Sequence, residues 1–173
     1  DNPRQSARDR RSVPVALGTD GPLRDFDEAI FEAERIGYPV MLKAASGGGG
    51  KGIRVAESVK DLKDAYDSAA AEAIANFGDG RLYMEKYIHN PRHIEVQILG
   101  DNYGNVVHLF ERECSVQRRH QKLIEESPSA FVTPELREKM TSAAVALAKR
   151  VGYRNAGTIE FLVDNDRNFY FCE

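Results

Sequence analysis

Apolar and polar residues alternate along His93-Ile94-Glu95-Val96-Gln97-Ile98, a period of two that predicts a strand with His93, Glu95 and Gln97 on one face. Elsewhere the period lengthens. Phe26, Ala29, Ile30, Ala33 and Ile36 recur at helical spacing within residues 24–36, and Gly37 closes the run. Val59, Leu62, Tyr66, Ala69, Ala70, Ala73 and Phe77 give a second helix one apolar face; it starts at Ser58, where Ser58-Val59-Lys60-Asp61 resembles a capping box. A third helix is predicted over 134–151, with Pro134 in its first turn, Lys149 and Arg150 in its last, and Gly152 beyond. Short apolar runs at 13–17, 39–43, 53–55, 106–112, 158–163 and 168–173 read as strands. The last two form a hairpin around Asp164-Asn165-Asp166-Arg167. The order is strand, helix, strand, loop, strand, helix, strand to about Ile88, followed by longer strands, which makes the fold class α+β.

Between two of these strands lies AASGGGGKGIRV, with four consecutive glycines, Gly47 to Gly50, then Lys51 and Gly52. A Walker loop needs Ser or Thr directly after the lysine, and a dinucleotide fingerprint needs a helix opening on its last glycine. Here Gly52 and the strand-like Ile53-Arg54-Val55 follow, so the loop joins two strands. It reads equally as a surface hairpin or as a flap over phosphate.

The chain has 173 residues, 42% apolar and 29% charged, with a formal net charge of -3. That gives no electrostatic case for nucleic acid or an anionic membrane, and no apolar run approaches a membrane span. Cys114 and Cys172 lack C-x-x-C spacing, which argues against structural zinc or a disulfide framework and for a reducing compartment. From the unpatterned start, DNPRQSARDRRS, and the final FYFCE, which stops within a predicted strand, the chain is expected to be a fragment.

Glu160 in GTIEFLV and Glu173 in NFYFCE each interrupt an apolar strand. A two- or four-residue turn pairs residues whose numbers differ by an odd amount, which would put the two carboxylates on one face as diagonal neighbours. A hard cation such as Mg²⁺ or Mn²⁺ between them would relieve their repulsion; the alternative is a solvated edge face. The run ERECSVQRRHQK, residues 111–122, is a dense polar stretch whose arginines and lysine suit anionic oxygens, or else a solvated loop. Only proximity in sequence would make Cys114 a nucleophile with His120 as its base. Met84-Glu85-Lys86-Tyr87-Ile88 closes the first lobe, where an interlobe crevice could take a ligand.

YPVMLKAASGGGGKG, YMEKYIHNPRHIEVQILGD, ERECSVQRRHQKLIEESPS, AGTIEFL and FYFCE together resemble the biotin carboxylase component of biotin-dependent carboxylases, over residues 13–173. The resemblance implies an ATP-grasp fold: a remnant of a preceding domain or linker over 1–15, a lid over 16–88 and an incomplete antiparallel lobe over 89–173. It implies that Lys43 contacts ATP phosphates and that Gly47, Gly48, Gly49, Gly50, Lys51 and Gly52 form the flap above them. Glu85, Lys86, Tyr87 and Ile88 would hold adenine, largely through backbone groups. His93, Gln117 and His120 match nucleotide contacts, Lys122 a bicarbonate-site lysine, and Glu160 and Glu173 the ligands of Mg²⁺ or Mn²⁺. Lys122 and Glu160 are the catalytic candidates. The implied reaction is attack of bicarbonate on the γ-phosphate of ATP, with the CO₂ unit passing to biotin on a carrier domain or protein and onward at a carboxyltransferase. The parent is expected to be a homo-oligomer in cytoplasm or mitochondrial matrix. The family's later arginine and glutamate positions lie beyond Glu173, so the chain alone is expected to bind nucleotide weakly and turn over very slowly or not at all. Two alternatives are another ATP-grasp ligase of the carbamoyl-phosphate synthetase kind and a noncatalytic nucleotide-binding module.

Overall fold

The structure, a computed structural model, describes residues 13–46, 52–118 and 121–173. The chain divides into two compact units, one of them Ala16–Tyr87 and the other Ile88–Glu173 with residues 13–15.

In the first unit, helix α1 (Phe26–Ile36) opens on Asp25, whose carboxylate accepts the Glu28 N–H. Asp27 and Glu28 lie in its first turn and Arg35 in its last, which suits the helix dipole. Strands β1 (Val40–Ala44), β2 (Ile53–Ala56) and β3 (Leu82–Lys86) form an antiparallel sheet in the order β2-β1-β3, and helix α2 (Val59–Phe77) joins β2 to β3. Val40, Leu42 and Ala44 alternate with Met41 and Lys43, so the apolar face of β1 is buried with Ala29, Ala33, Leu62, Ala69, Leu82 and Met84. Each fully buried leucine contributes about 1.5–3 kcal/mol. The stripe on α2 differs from the sequence expectation. Leu62, Ala65, Ala69 and Ala73 are buried, whereas Val59, in the first turn, is 56% exposed. The capping box is also not made: Ser58 Oγ bonds Asp61 Oδ2 instead of a backbone N–H.

Residues 13–17 form no strand. They contribute an isolated bridge between Val15 and Phe171, in which Phe171 donates its N–H to the Pro14 carbonyl. Pro14 has no N–H to return, so the ladder cannot extend through it.

The second unit is a five-stranded antiparallel sheet, ordered β6-β5-β4-β7-β8. Its strands are β4 (Arg92–Gly100), β5 (Val106–Arg118), β6 (Gln121–Glu126), β7 (Asn155–Val163) and β8 (Phe169–Phe171). Helix α3 (Pro134–Arg150) is capped by Thr133, whose hydroxyl accepts the Leu136 N–H. Ile94, Val96 and Ile98 from β4, with Ile159, Phe161 and Val163 from β7, bury one sheet face with Leu136, Met140, Ala144 and Leu147. The same alternation sends His93, Glu95 and Gln97 to the other face.

Two expectations change here. The polar run from Glu111 continues β5 to Arg118 and resumes in β6, so it is paired strand rather than loop. The closing hairpin has an even register, with Phe161 opposite Phe171 and Val163 opposite Phe169, because its turn is closed by Asp164 N–H on the Asn168 carbonyl with Arg167 at φ 63°. Three residues therefore span the turn. The turn thus does not pair Glu160 with Glu173 by an odd difference; beyond β8 both Cys172 and Glu173 bond the Glu160 backbone, two residues facing one as in a bulge.

Candidate active site

Glu95 on β4 and Glu160 on β7 are direct cross-strand partners. Two carboxylates so placed repel unless cations intervene. Lys122 from β6 supplies one: its Nζ lies 2.5 Å from Glu95 Oε2 and 2.7 Å from Glu160 Oε1. Arg112 from β5 supplies another, with Nε 2.8 Å from Glu95 Oε1, a further contact from Nη2 to the same oxygen, and Nη1 2.9 Å from Gln97 Oε1. Glu95 keeps only 4% of its side chain exposed, which an unpaired carboxylate would not tolerate.

The second oxygen of Glu160 meets His93 Nε2 at 2.7 Å. Gln117 Nε2 lies 2.7 Å from His93 Nδ1 and donates to the Cys114 carbonyl at 2.8 Å. An amide nitrogen only donates, so Nδ1 is the acceptor and the Nε2 proton points at Glu160. The hydrogen bond from His93, then that from Lys122, outweighs burial and holds the Glu160 carboxyl down to about 2. Burial works against the Lys122 ammonium, but Glu160 and Glu95 overcome it and raise its pKa. Burial likewise opposes ionisation of Glu95, and Lys122 and Arg112 more than offset it. The cluster is therefore charged on both sides, with Lys122 a fixed cation on the sheet face opposite α3.

Burial, then Glu95, pushes the Cys114 thiol up to about 12, so it stays protonated and is no nucleophile. His120, its suggested base, lies outside the described residues, as do Gly47, Gly48, Gly49, Gly50 and Lys51 of the glycine run. Glu173 is exposed and meets Glu160 through its backbone. The ligand atoms of His93, Glu95 and Glu160 lie within 4.8 Å of one another. Glu160 fits a hard-cation ligand, since each of its oxygens retains a lone pair beyond its present hydrogen bond. Glu173 is not in that group.

In the first unit, Lys43 Nζ lies 2.7 Å from Glu85 Oε2, a diagonal pair across β1 and β3. Lys86 Nζ is held by the carbonyls of Gly37 and Tyr38 at 2.9 and 2.8 Å, and the Tyr87 N–H by the Pro39 carbonyl. Ile88 follows and belongs to the second unit. Gly52 adopts φ +68°, and a Cβ there would lie 2.8 Å from the Ala44 Cβ, so this position admits only glycine without a backbone shift.

Sequence reasoning had not assigned Glu95, Gln97 and Arg112 to the site. The alternation around Ile94 and Val96 places Glu95 beside His93, and a glutamate inside so apolar a strand was the available signal. Arg112 lies in the polar run whose arginines suit anionic oxygens, but its place beside Glu95 depends on pairing between β4 and β5.

Residues 3–173 match the family model of the carbamoyl-phosphate synthase L chain, ATP binding domain. The chain is 55% identical over 161 residues to human mitochondrial pyruvate carboxylase, covering 93% of this chain and 14% of that protein. It is 54% identical to the 2-oxoglutarate carboxylase small subunit of Hydrogenobacter thermophilus, covering 95% of this chain and 35% of the relative. Among solved structures, a biotin carboxylase–β,γ-ATP complex from Campylobacter jejuni superposes with a TM-score of 0.92 at 55% identity, over 98% of this chain and 38% of that one. The Hydrogenobacter biotin carboxylase domain dimer, in complex with MgADP, ADP and bicarbonate, gives 0.90 at 52% identity, over 98% and 38%. The chain thus spans well under half the length of these relatives. With its family model matched almost end to end and its fold that of solved biotin carboxylases, the chain belongs to the carbamoyl-phosphate synthase L chain ATP-binding domain family.

Proposed function

We propose that the protein containing this chain carboxylates biotin on a carrier domain or protein, using bicarbonate and ATP, and that this chain supplies its nucleotide and bicarbonate groups. The observation that carries the reading is Lys122, held between opposed Glu95 and Glu160 with His93 and Gln117 beside them. Such an ammonium, fixed and partly desolvated, suits a small anion.

Lys43 and the segment from Gly47 to Gly52 bind the phosphates, and Glu85, Lys86, Tyr87 and Ile88 hold the adenine. His93, Gln117 and His120 contact the nucleotide, and Lys122 orients bicarbonate. A bicarbonate oxygen attacks the γ-phosphorus and ADP departs as its bridging P–O bond breaks. The carboxyl group then passes to N1 of biotin, which loses its proton, and inorganic phosphate is released. Glu160, with Glu173, would hold Mg²⁺ or Mn²⁺, which offsets charge on the transferred phosphoryl group when bound.

Partners under this reading are the biotin carrier and a carboxyltransferase, with a homo-oligomeric parent. No described helix is long and apolar enough to cross a membrane, and relatives include mitochondrial proteins and one from Bacillus subtilis. Cytoplasm or mitochondrial matrix is the proposed location.

The test is to supply the full-length protein with ATP, radiolabelled bicarbonate and its biotinylated carrier. Acid-labile label on the carrier, matched mole for mole by ADP, supports the reading. The name of the matched family favours a second one, a carbamoyl-phosphate-forming ligase. Ammonia-stimulated ADP release with no label on biotin would select it.

A further inference from the structure

We infer that Ser115, anchored by Glu113, is a positioning residue that sets where His93 and Gln117 stand. Arg112 and Gln117 are five positions apart on β5, so an unbroken pleat would send them to opposite faces. Both nevertheless bond side chains of the same face, Arg112 to Glu95 and Gln97, and Gln117 to His93. Irregularities in the β5–β6 register between Glu113 and Gln117 provide the extra residue.

Side chains replace the ladder at this break. His93 donates its backbone N–H to Ser115 Oγ at 3.0 Å, and the Cys114 carbonyl accepts from the Gln117 side chain at 2.8 Å. Ser115 Oγ in turn donates to Glu113 Oε1 at 3.1 Å. Glu113 is itself fixed: Arg92 Nη1 holds Oε1 at 2.5 Å, and the buried Ser129 hydroxyl holds Oε2 at 2.5 Å. A chain of hydrogen bonds thus runs from Ser129 on the loop before α3, through Glu113 and Ser115, to the backbone of His93.

Among the described residues, the Ser115 hydroxyl is the group that both accepts from the His93 N–H and donates to Glu113. Removing it leaves the His93 N–H and Glu113 Oε1 each short of a partner, and frees the break that turns Gln117 towards the His93 ring. The inference rests on the proposed function only in taking His93 and Gln117 as nucleotide contacts.

The test uses the full-length protein with Ser115→Ala and Ser115→Thr. We expect Ser115→Ala to raise KM for ATP about tenfold while kcat changes less than twofold, and Ser115→Thr, which keeps the hydroxyl, to stay within about twofold of wild type in KM. An unchanged KM in Ser115→Ala, or an equal rise in both variants, overturns the inference. Wild type that cleaves no ATP refutes the proposed function instead, and the His93 amide then decides. Faster hydrogen exchange at that amide in Ser115→Ala but not in Ser115→Thr sustains the positioning role; equal exchange in all three proteins overturns it.

Discussion

Lys122 and Glu160, 38 residues apart, meet at 2.7 Å, and the same ammonium reaches Glu95 on the neighbouring strand. The contact turns a repulsive cross-strand carboxylate pair into a neutralised cluster and fixes a cation on one sheet face. Stability and proposed chemistry therefore depend on the same side chain.

Replacing that side chain separates the two contributions. Lys122→Met leaves Glu160 with His93 and Glu95 with Arg112 alone, so two partly desolvated carboxylates face each other across β4 and β7. The expected loss of stability is about 2–3 kcal/mol. Denaturant unfolding at neutral pH measures it, and adding Glu95→Gln should restore part of the loss by removing one of the opposed charges.

A second ion pair lies on the α3 face. Arg137 grips Glu111 through two contacts of 2.7 Å, and the Glu111 side chain is 1% exposed. Burial raises the Glu111 pKa, but Arg137 and neighbouring backbone groups bring it below its usual 4.5. A carboxyl whose folded pKa is depressed stabilises above its unfolded value, and that stability is lost as pH falls through the folded one. Arg137→Met should therefore cost about 3 kcal/mol at pH 7. Because burial then holds the Glu111 pKa up, the gap from wild type should begin to narrow above pH 4.5 and continue closing as pH falls through the depressed wild-type value. Unfolding curves across that range would show the convergence.

Phe110 occupies φ +63°, a region that side chains with a Cβ enter at a cost, and the residue is 57% exposed. Its ring contact is edge-on to His108. Both Phe110→Ala and Phe110→Gly remove the ring, but only glycine also relieves the backbone. Phe110→Gly should be the more stable of the two by about 1 kcal/mol, read as the difference in their thermal midpoints.

Glu160 has a further expected role as a cation ligand. In the full-length protein, Glu160→Gln should raise the Mg²⁺ concentration needed for half-maximal ATP binding by about tenfold, measured by calorimetric titration at fixed nucleotide. An unaltered Mg²⁺ requirement would remove Glu160 from the metal site.

The parts of the molecule set by local pattern were legible before the fold was known. The alternation around Ile94 gave β4 and the shared face of His93, Glu95 and Gln97, and Pro134, Lys149 and Arg150 marked the ends of α3. Features that depend on register were not. Glu95 faces Glu160 only because β4 pairs with β7, a long-range choice that no local spacing encodes. Gln117 joins Arg112 on one face only because β5 is irregular past Glu113. The closing hairpin was misjudged by its turn, where Arg167 takes a left-handed conformation that Asp164-Asn165-Asp166-Arg167 does not announce. Resemblance supplied Lys122, whose isolated position in a polar run said nothing about its two carboxylates.

The most direct measurement is ADP release by the full-length protein as a function of bicarbonate, in wild type and Lys122→Met. ATP cleavage should require bicarbonate and fall at least about 100-fold in the variant, as expected when a fixed charge at the reacting anion is lost. Cleavage that ignores bicarbonate, or a variant that matches wild type, would contradict the proposed function.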